Sequence, residues 1–142
     1  MRRVASLLAA AALAVIASAL SAAPKARGTG AGVYTEAQAG EGARVYAVRC
    51  AMCHGPGLAG TVETPGLVGK FMANWAGRPL GDLYDYLGRA MPQPSPGSLT
   101  AEDNARLVAF LLKANGVAAG TTTLPADSAA LRRLVLEPVR PR

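Results

Sequence analysis

Both cysteines of the chain and its only histidine fall within five consecutive residues, Cys50-Ala51-Met52-Cys53-His54. Two thiols three residues apart, followed at once by an imidazole, suit one chemical task. Each thiol can add across a vinyl group of haem, and the adjacent histidine then reaches the iron as proximal ligand. On this reading Cys50 and Cys53 carry thioethers, His54 binds iron, and Ala51 and Met52 are spacers. Three other chemistries compete for these residues. A disulfide oxidoreductase places its Cys-x-x-Cys at the opening of a helix beside a βαβ pattern. Structural zinc wants four protein ligands, and only three soft ones exist here. A plain disulfide accounts for the cysteines and leaves His54 unexplained.

The second axial ligand follows by elimination. With no other histidine, a thioether is the natural choice, and the chain has four methionines. Met1 belongs to the leading segment and Met52 is trapped between the attachment points, which leaves Met72 and Met91. Met91 is favoured because "MPQPSPG" holds it in a proline-stiffened loop between two helices. Met72, beside Phe71 and Trp75, reads as core packing.

Positioning these groups requires helices. Thr35 with Gln38 forms a capping-box pattern, and Gly42, Tyr46, Cys50 and Cys53 follow on one face, so a helix is expected to deliver its last turn to the cysteines. From Gly55 to Gly77 glycines and prolines recur without periodicity, which predicts a long loop wrapped around something. Pro79 opens a short amphipathic helix with Leu80, Leu83, Tyr84 and Leu87 on one face. Thr100 with Asp103 restarts a helix carrying Leu107, Phe110, Leu111 and Ala114, stopped by Gly116. Beyond it lie a small-residue linker and a possible short helix from about Ala126 to Glu137, with Leu131, Leu134 and Val135 on one side. No strand pattern or internal repeat is present, so the expected fold is all-α.

The chain has 142 residues, enough for one domain with tails. Residues 1–21 read as a signal peptide, with Arg2 and Arg3 before an uncharged Ala/Leu-rich run and small residues at the cleavage site. The alternative is an uncleaved anchor from Val4 to Ala23, just long enough to span a bilayer. Residues 22–33 read as a flexible lead-in, 34–116 as the haem domain and 117–142 as a C-terminal extension. The formal net charge is +6, yet residues 33–116 carry seven basic and seven acidic side chains. The surplus sits at the ends, and no basic stripe interleaved with aromatics appears, which argues against nucleic acid as partner. Arg132, Arg133, Arg140 and Arg142 stand beside the apolar Leu131, Leu134 and Val135. That segment either packs on the domain or docks onto an acidic partner surface. Aromatic residues make up only 5% of the chain, so an internal core is thin unless haem fills part of it.

Taken together, Gly42 and Tyr46 ahead of C-A-M-C-H, the Pro65-Gly66-Leu67 segment, Met91-Pro92 and an apolar terminal helix resemble the class I c-type cytochromes. The resemblance covers roughly Tyr34 to Gly116 and implies cytochrome c-like helices joined by long loops around one covalent haem c. It implies that Gly42 and Tyr46 form the close contact of the first and last helices, opposite Leu107 and Phe110. It also implies that Pro65 accepts the His54 Nδ1 proton, that Leu67 packs on the haem and that Trp75 reaches a propionate. The "MPQPSPGSLT" loop is similar to the small cytochrome subunits that accompany periplasmic dehydrogenases.

With both axial positions of the iron filled, the expected function is single-electron transfer and not an enzymatic reaction. The expectation is a periplasmic monohaem carrier between a dehydrogenase donor and an acceptor such as a terminal oxidase, reaching a membrane only if the leading segment stays uncleaved. The alternative is a haem-based ligand sensor or small peroxidase-like enzyme with a labile distal methionine, although no spare histidine is available for distal acid/base work.

Overall fold

A computed structural model describes residues 26–138. The signal peptide or anchor reading, and Arg140 and Arg142, lie outside the described residues. The architecture is helical. Helix α1 (Glu36–Arg49) opens on half of the expected capping box: Thr35 Oγ1 accepts from Gln38 N at 3.1 Å, while the Gln38 side chain turns to Leu124 and not back to the Thr35 N–H. It does not run on through both cysteines. The backbone breaks at Cys50, and a separate turn, α2 (Ala51–His54), carries Cys53 and His54.

A six-residue helix, α3 (Lys70–Trp75), then interrupts the segment expected to be all loop. It has no side-chain cap, and its N-cap Gly69 sits at φ 64, so no start signal of the usual kind marks it. Helix α4 (Leu80–Ala90) follows Pro79 and buries Leu80, Leu83, Tyr84 and Leu87, the face its periodicity predicts. Helix α5 (Ala101–Ala114) is capped by Thr100 Oγ1, which accepts from Asp103 N at 3.1 Å. It buries Leu107 and Leu111 while Phe110 is half-buried and Ala114, expected on the same face, is exposed.

The main crossing is α1 against α5, and Gly42 makes it possible. A Cβ at Gly42 would stand 1.9 Å from the Arg106 carbonyl oxygen and 2.6 Å from its carbon. Tyr46, one turn on, stacks against Phe110 with ring centroids 5.2 Å apart. Gly42→Ala must push two backbones apart and is expected to cost about 3 kcal/mol, the upper part of the overpacking range. Gly40→Ala on the same helix meets nothing within 4 Å and should stabilise by about 0.5–1 kcal/mol. Urea midpoints of the two variants would check this opposition of sign.

The chain's ends depart most from expectation. Residues 27–31 are not a free lead-in: β1 (Arg27–Gly28) pairs in parallel with β2 (Leu134–Val135), and a 3-10 turn (Thr29–Ala31) follows it. Thr29 is fully buried, and its Oγ1 accepts from Glu137 N at 3.1 Å. In the C-terminal extension the helix is only α6 (Ser128–Leu131), capped by Asp127, after which the chain turns extended. Leu124, Leu131 and Leu136 are all buried in the core. The Gln38 side-chain amide grips Leu124 from both sides, donating to its carbonyl at 2.8 Å and accepting from its N–H at 2.9 Å. Of the two readings of the tail, the packing one therefore describes its apolar side.

Candidate functional site

The break at Cys50 is what builds the site. Its N–H still donates to Tyr46 O, and the Cys53 and His54 N–H groups then donate to Cys50 O at 3.1 and 2.9 Å, winding one tight turn. Tyr46 Oη donates to Gly55 O at 2.5 Å, tying the exit of that turn back to α1. The loop beyond folds over the imidazole. Gly60 N donates to His54 O at 2.9 Å and Leu67 N to Leu58 O at 2.7 Å, which brings the Pro65 carbonyl 2.9 Å from His54 Nδ1. A carbonyl oxygen can only accept, so Nδ1 carries the proton and Nε2 keeps its lone pair. His54 is buried, and its ring is held in one tautomer by a backbone acceptor, as a metal-binding imidazole is.

His54 lines a cavity of about 940 Å³, at the upper end of the range for small-molecule and cofactor sites. Cys50, Cys53, Pro65, Leu67, Trp75 and Met91 line the same cavity. All seven residues singled out from the sequence thus share one space. Met72, set aside as core packing, is buried in the core and does not line the cavity. Met91 is placed by the end of α4, where its N–H donates to Leu87 O at 3.0 Å before the proline-rich loop begins.

The donor set fits haem c and suits the competing chemistries poorly. Both thiols are free, Cys50 half-buried and Cys53 exposed. Burial pushes the Cys50 thiol above its ordinary range, only partly offset by the Arg49 guanidinium. A disulfide oxidoreductase needs the reverse, a nucleophilic thiol pulled down. Among the described residues no group of three or more His, Cys, Asp and Glu converges as a metal site, so the two thiols and the imidazole do not form a zinc cage. The cavity's walls are largely apolar, as a macrocycle's faces require.

Three contributors were not visible in the sequence. Asn115, at the end of α5, accepts from Gly69 N at 3.0 Å and donates to Leu67 O at 2.9 Å, stapling the loop that carries Leu67. Arg78 lines the cavity with its guanidinium 4.5 Å over the Trp75 ring. Tyr86 packs against the same Trp75 ring, with centroids 5.5 Å apart and planes tilted by 47°. A helix-terminal asparagine was the one available cue; the Arg78 stack depends on contacts that spacing does not encode.

The family model described as cytochrome c oxidase, cbb3-type, subunit III matches residues 37–111. Among solved structures, the crystal structure of the sulfane dehydrogenase SoxCD from Paracoccus pantotrophus is similar at 27% identity with a TM-score of 0.51. The likeness covers 69% of this chain and 52% of that one, so the chain spans about half the length of the chain it matches. No curated protein matches the chain.

Proposed function

Because the chain belongs to the family of cytochrome c oxidase, cbb3-type, subunit III, and is a class I c-type cytochrome, we propose that it is a periplasmic monohaem electron-transfer protein. Its electrons come from a dehydrogenase and pass to an acceptor such as a terminal oxidase. The observation that carries this reading is that a tautomer-locked imidazole, two free thiols and the Met91 thioether, which lies outside the attachment pentapeptide, all line one cavity.

Haem c, when bound, supplies a one-electron ferric/ferrous couple. The chain's residues do the rest. Cys50 and Cys53 would hold the macrocycle by thioethers, and His54 Nε2 and the Met91 sulfur would be the protein donors to the iron. The Pro65 carbonyl strengthens the imidazole as a donor by accepting a hydrogen bond from its Nδ1–H. Leu67, Leu107 and Leu111 exclude water from the cavity and lower its dielectric, while Trp75 stands at the wall beside Arg78. A soft sulfur donor in such a setting favours the ferrous state. The similar structure is that of a sulfane dehydrogenase, which supports a dehydrogenase as the donor.

The test is covalent attachment. Full-length protein expressed with export to the periplasm should retain its colour through acid-acetone extraction and give a pyridine haemochrome spectrum for one haem c per chain. Haem released into the organic phase, or a colourless mature protein, would overturn the reading.

A further inference from the structure

The C-terminal extension lies outside the matched residues 37–111, yet it is built against the segment that carries Arg78. Gly77 N donates to Leu136 O at 2.7 Å and Leu136 N to Arg78 O at 2.9 Å, so the backbone at Arg78 is held like a strand in a ladder. Pro79 and Val135 form the next bridge. Gly81 lets α6 lie directly on α4: a Cβ there would stand 2.8 Å from Ser128 O and 2.5 Å from the Arg132 Cγ.

Charge is arranged by the same contact. Arg132 reaches Asp82 Oδ1 and Asp85 Oδ2, each at 2.5 Å, and Ser128 Oγ donates to Asp85 Oδ2 at 2.9 Å. Arg78 meets Asp82 only at a long 3.4 Å. Arg132 is therefore the main counter-charge of both aspartates. If it were absent, Asp82 would have Arg78 as its nearest cation and would compensate it more fully than the present 3.4 Å contact does. With Arg132 in place, Arg78 keeps its charge for the cavity wall, where it stands over Trp75.

We propose that the extension is a potential-setting element. Leu136, just past β2, fixes the backbone of Arg78, and Arg132 takes the close contacts of Asp82 and Asp85, so that Arg78 keeps only its long contact to Asp82 and a weakly compensated cation lines the cavity. The inference rests on the reading that haem occupies that cavity. Reduction removes one positive charge from the iron, so a cation in the wall favours the reduced state and its loss favours the oxidised one. Arg78 and Arg132 are positioning residues here; neither is an iron ligand.

Potentiometric titration of the visible spectrum of the intact holoprotein tests it. At the applied potential where wild type is half reduced, Arg132→Ala should raise the oxidised-to-reduced ratio about three- to tenfold, the scale Coulomb's law gives for one charge on a half-exposed wall. Arg132→Lys, which keeps the cation, should stay near wild type. In an Arg78→Gln background the effect of Arg132→Ala should fall by half or more, because its intermediary is gone. A wild-type ratio in folded Arg132→Ala holoprotein overturns the inference, as does an undiminished effect in the Arg78→Gln background. A lowered melting temperature with an unmoved potential assigns Arg132 to the fold alone, which also overturns it. Wild-type protein without covalent haem would instead defeat the functional reading beneath it.

Discussion

Truncation after Gly120 is expected to remove most of the protein's stability. The cut deletes Leu124, Leu131 and Leu136, with 1%, 0% and 1% of their surface exposed. Replacing one such leucine by alanine typically costs about 2–5 kcal/mol, so losing three whole side chains and their backbone costs at least about 6 kcal/mol, against a total of about 5–15 kcal/mol for a domain. The cut also strips Gln38 of both its Leu124 partners, two hydrogen bonds of about 1 kcal/mol each. For a domain of this size the loss corresponds to a fall in melting temperature on the order of 20 °C, measured by circular dichroism on holoprotein. A truncated protein that melts as wild type does would mean that these leucines contribute nothing to folding, and that the extension is free to dock elsewhere.

The second large effect belongs to Met91. Met91→Ala should abolish the weak long-wavelength sulfur-to-iron band of the ferric protein and open the iron to cyanide and CO. It should also lower the reduction potential by on the order of 0.1–0.3 V, within the roughly 0.8 V range that axial ligands span. Met72→Ala should do none of these and should behave as an ordinary core truncation costing about 2–5 kcal/mol, since Met72 is buried away from the cavity. Swapped results would move the axial ligand to α3. Rapid CO binding by the wild-type ferrous protein would favour a ligand sensor over a carrier.

The site was legible in the sequence where its chemistry is local. Cys50, Cys53 and His54 are neighbours in the chain because one macrocycle must bind all three, and Gly42 and Tyr46 stand one turn apart because helices have a fixed period. Pro65 and Met91 were reachable through resemblance and elimination, each eleven or more residues from the pentapeptide. What stayed hidden is non-local. Two-residue strands are too short to show alternation, so β1 and β2 left no trace, and a segment of glycines with a lone threonine read as flexible. The Arg132 ion pairs reach back 50 and 47 residues to Asp82 and Asp85. In sequence Arg132 is one of several basic residues near the end, and only the packing of α6 on Gly81 selects its partners. Helix α3 escaped because it lacks a capping side chain and is flanked by glycines.

The pairing of β1 with β2 joins residues 107 apart, Arg27 with Leu134 and Gly28 with Val135. Arg27 must wait for a partner 107 residues further on, and closing so long a loop carries an entropy cost that other contacts must offset. The same late segment supplies the ladder for Gly77 and Arg78. Without it, the segment of the cavity wall at Arg78 lacks these ladder bonds, whereas the α2 turn that presents Cys53 and His54 depends only on nearby residues. The thiols are thus presented by local contacts, and the enclosure is completed by distant ones. A bulky planar guest in that cavity is gripped on one side by a turn that needs only its neighbours and shut in on the other by a clasp spanning 107 residues.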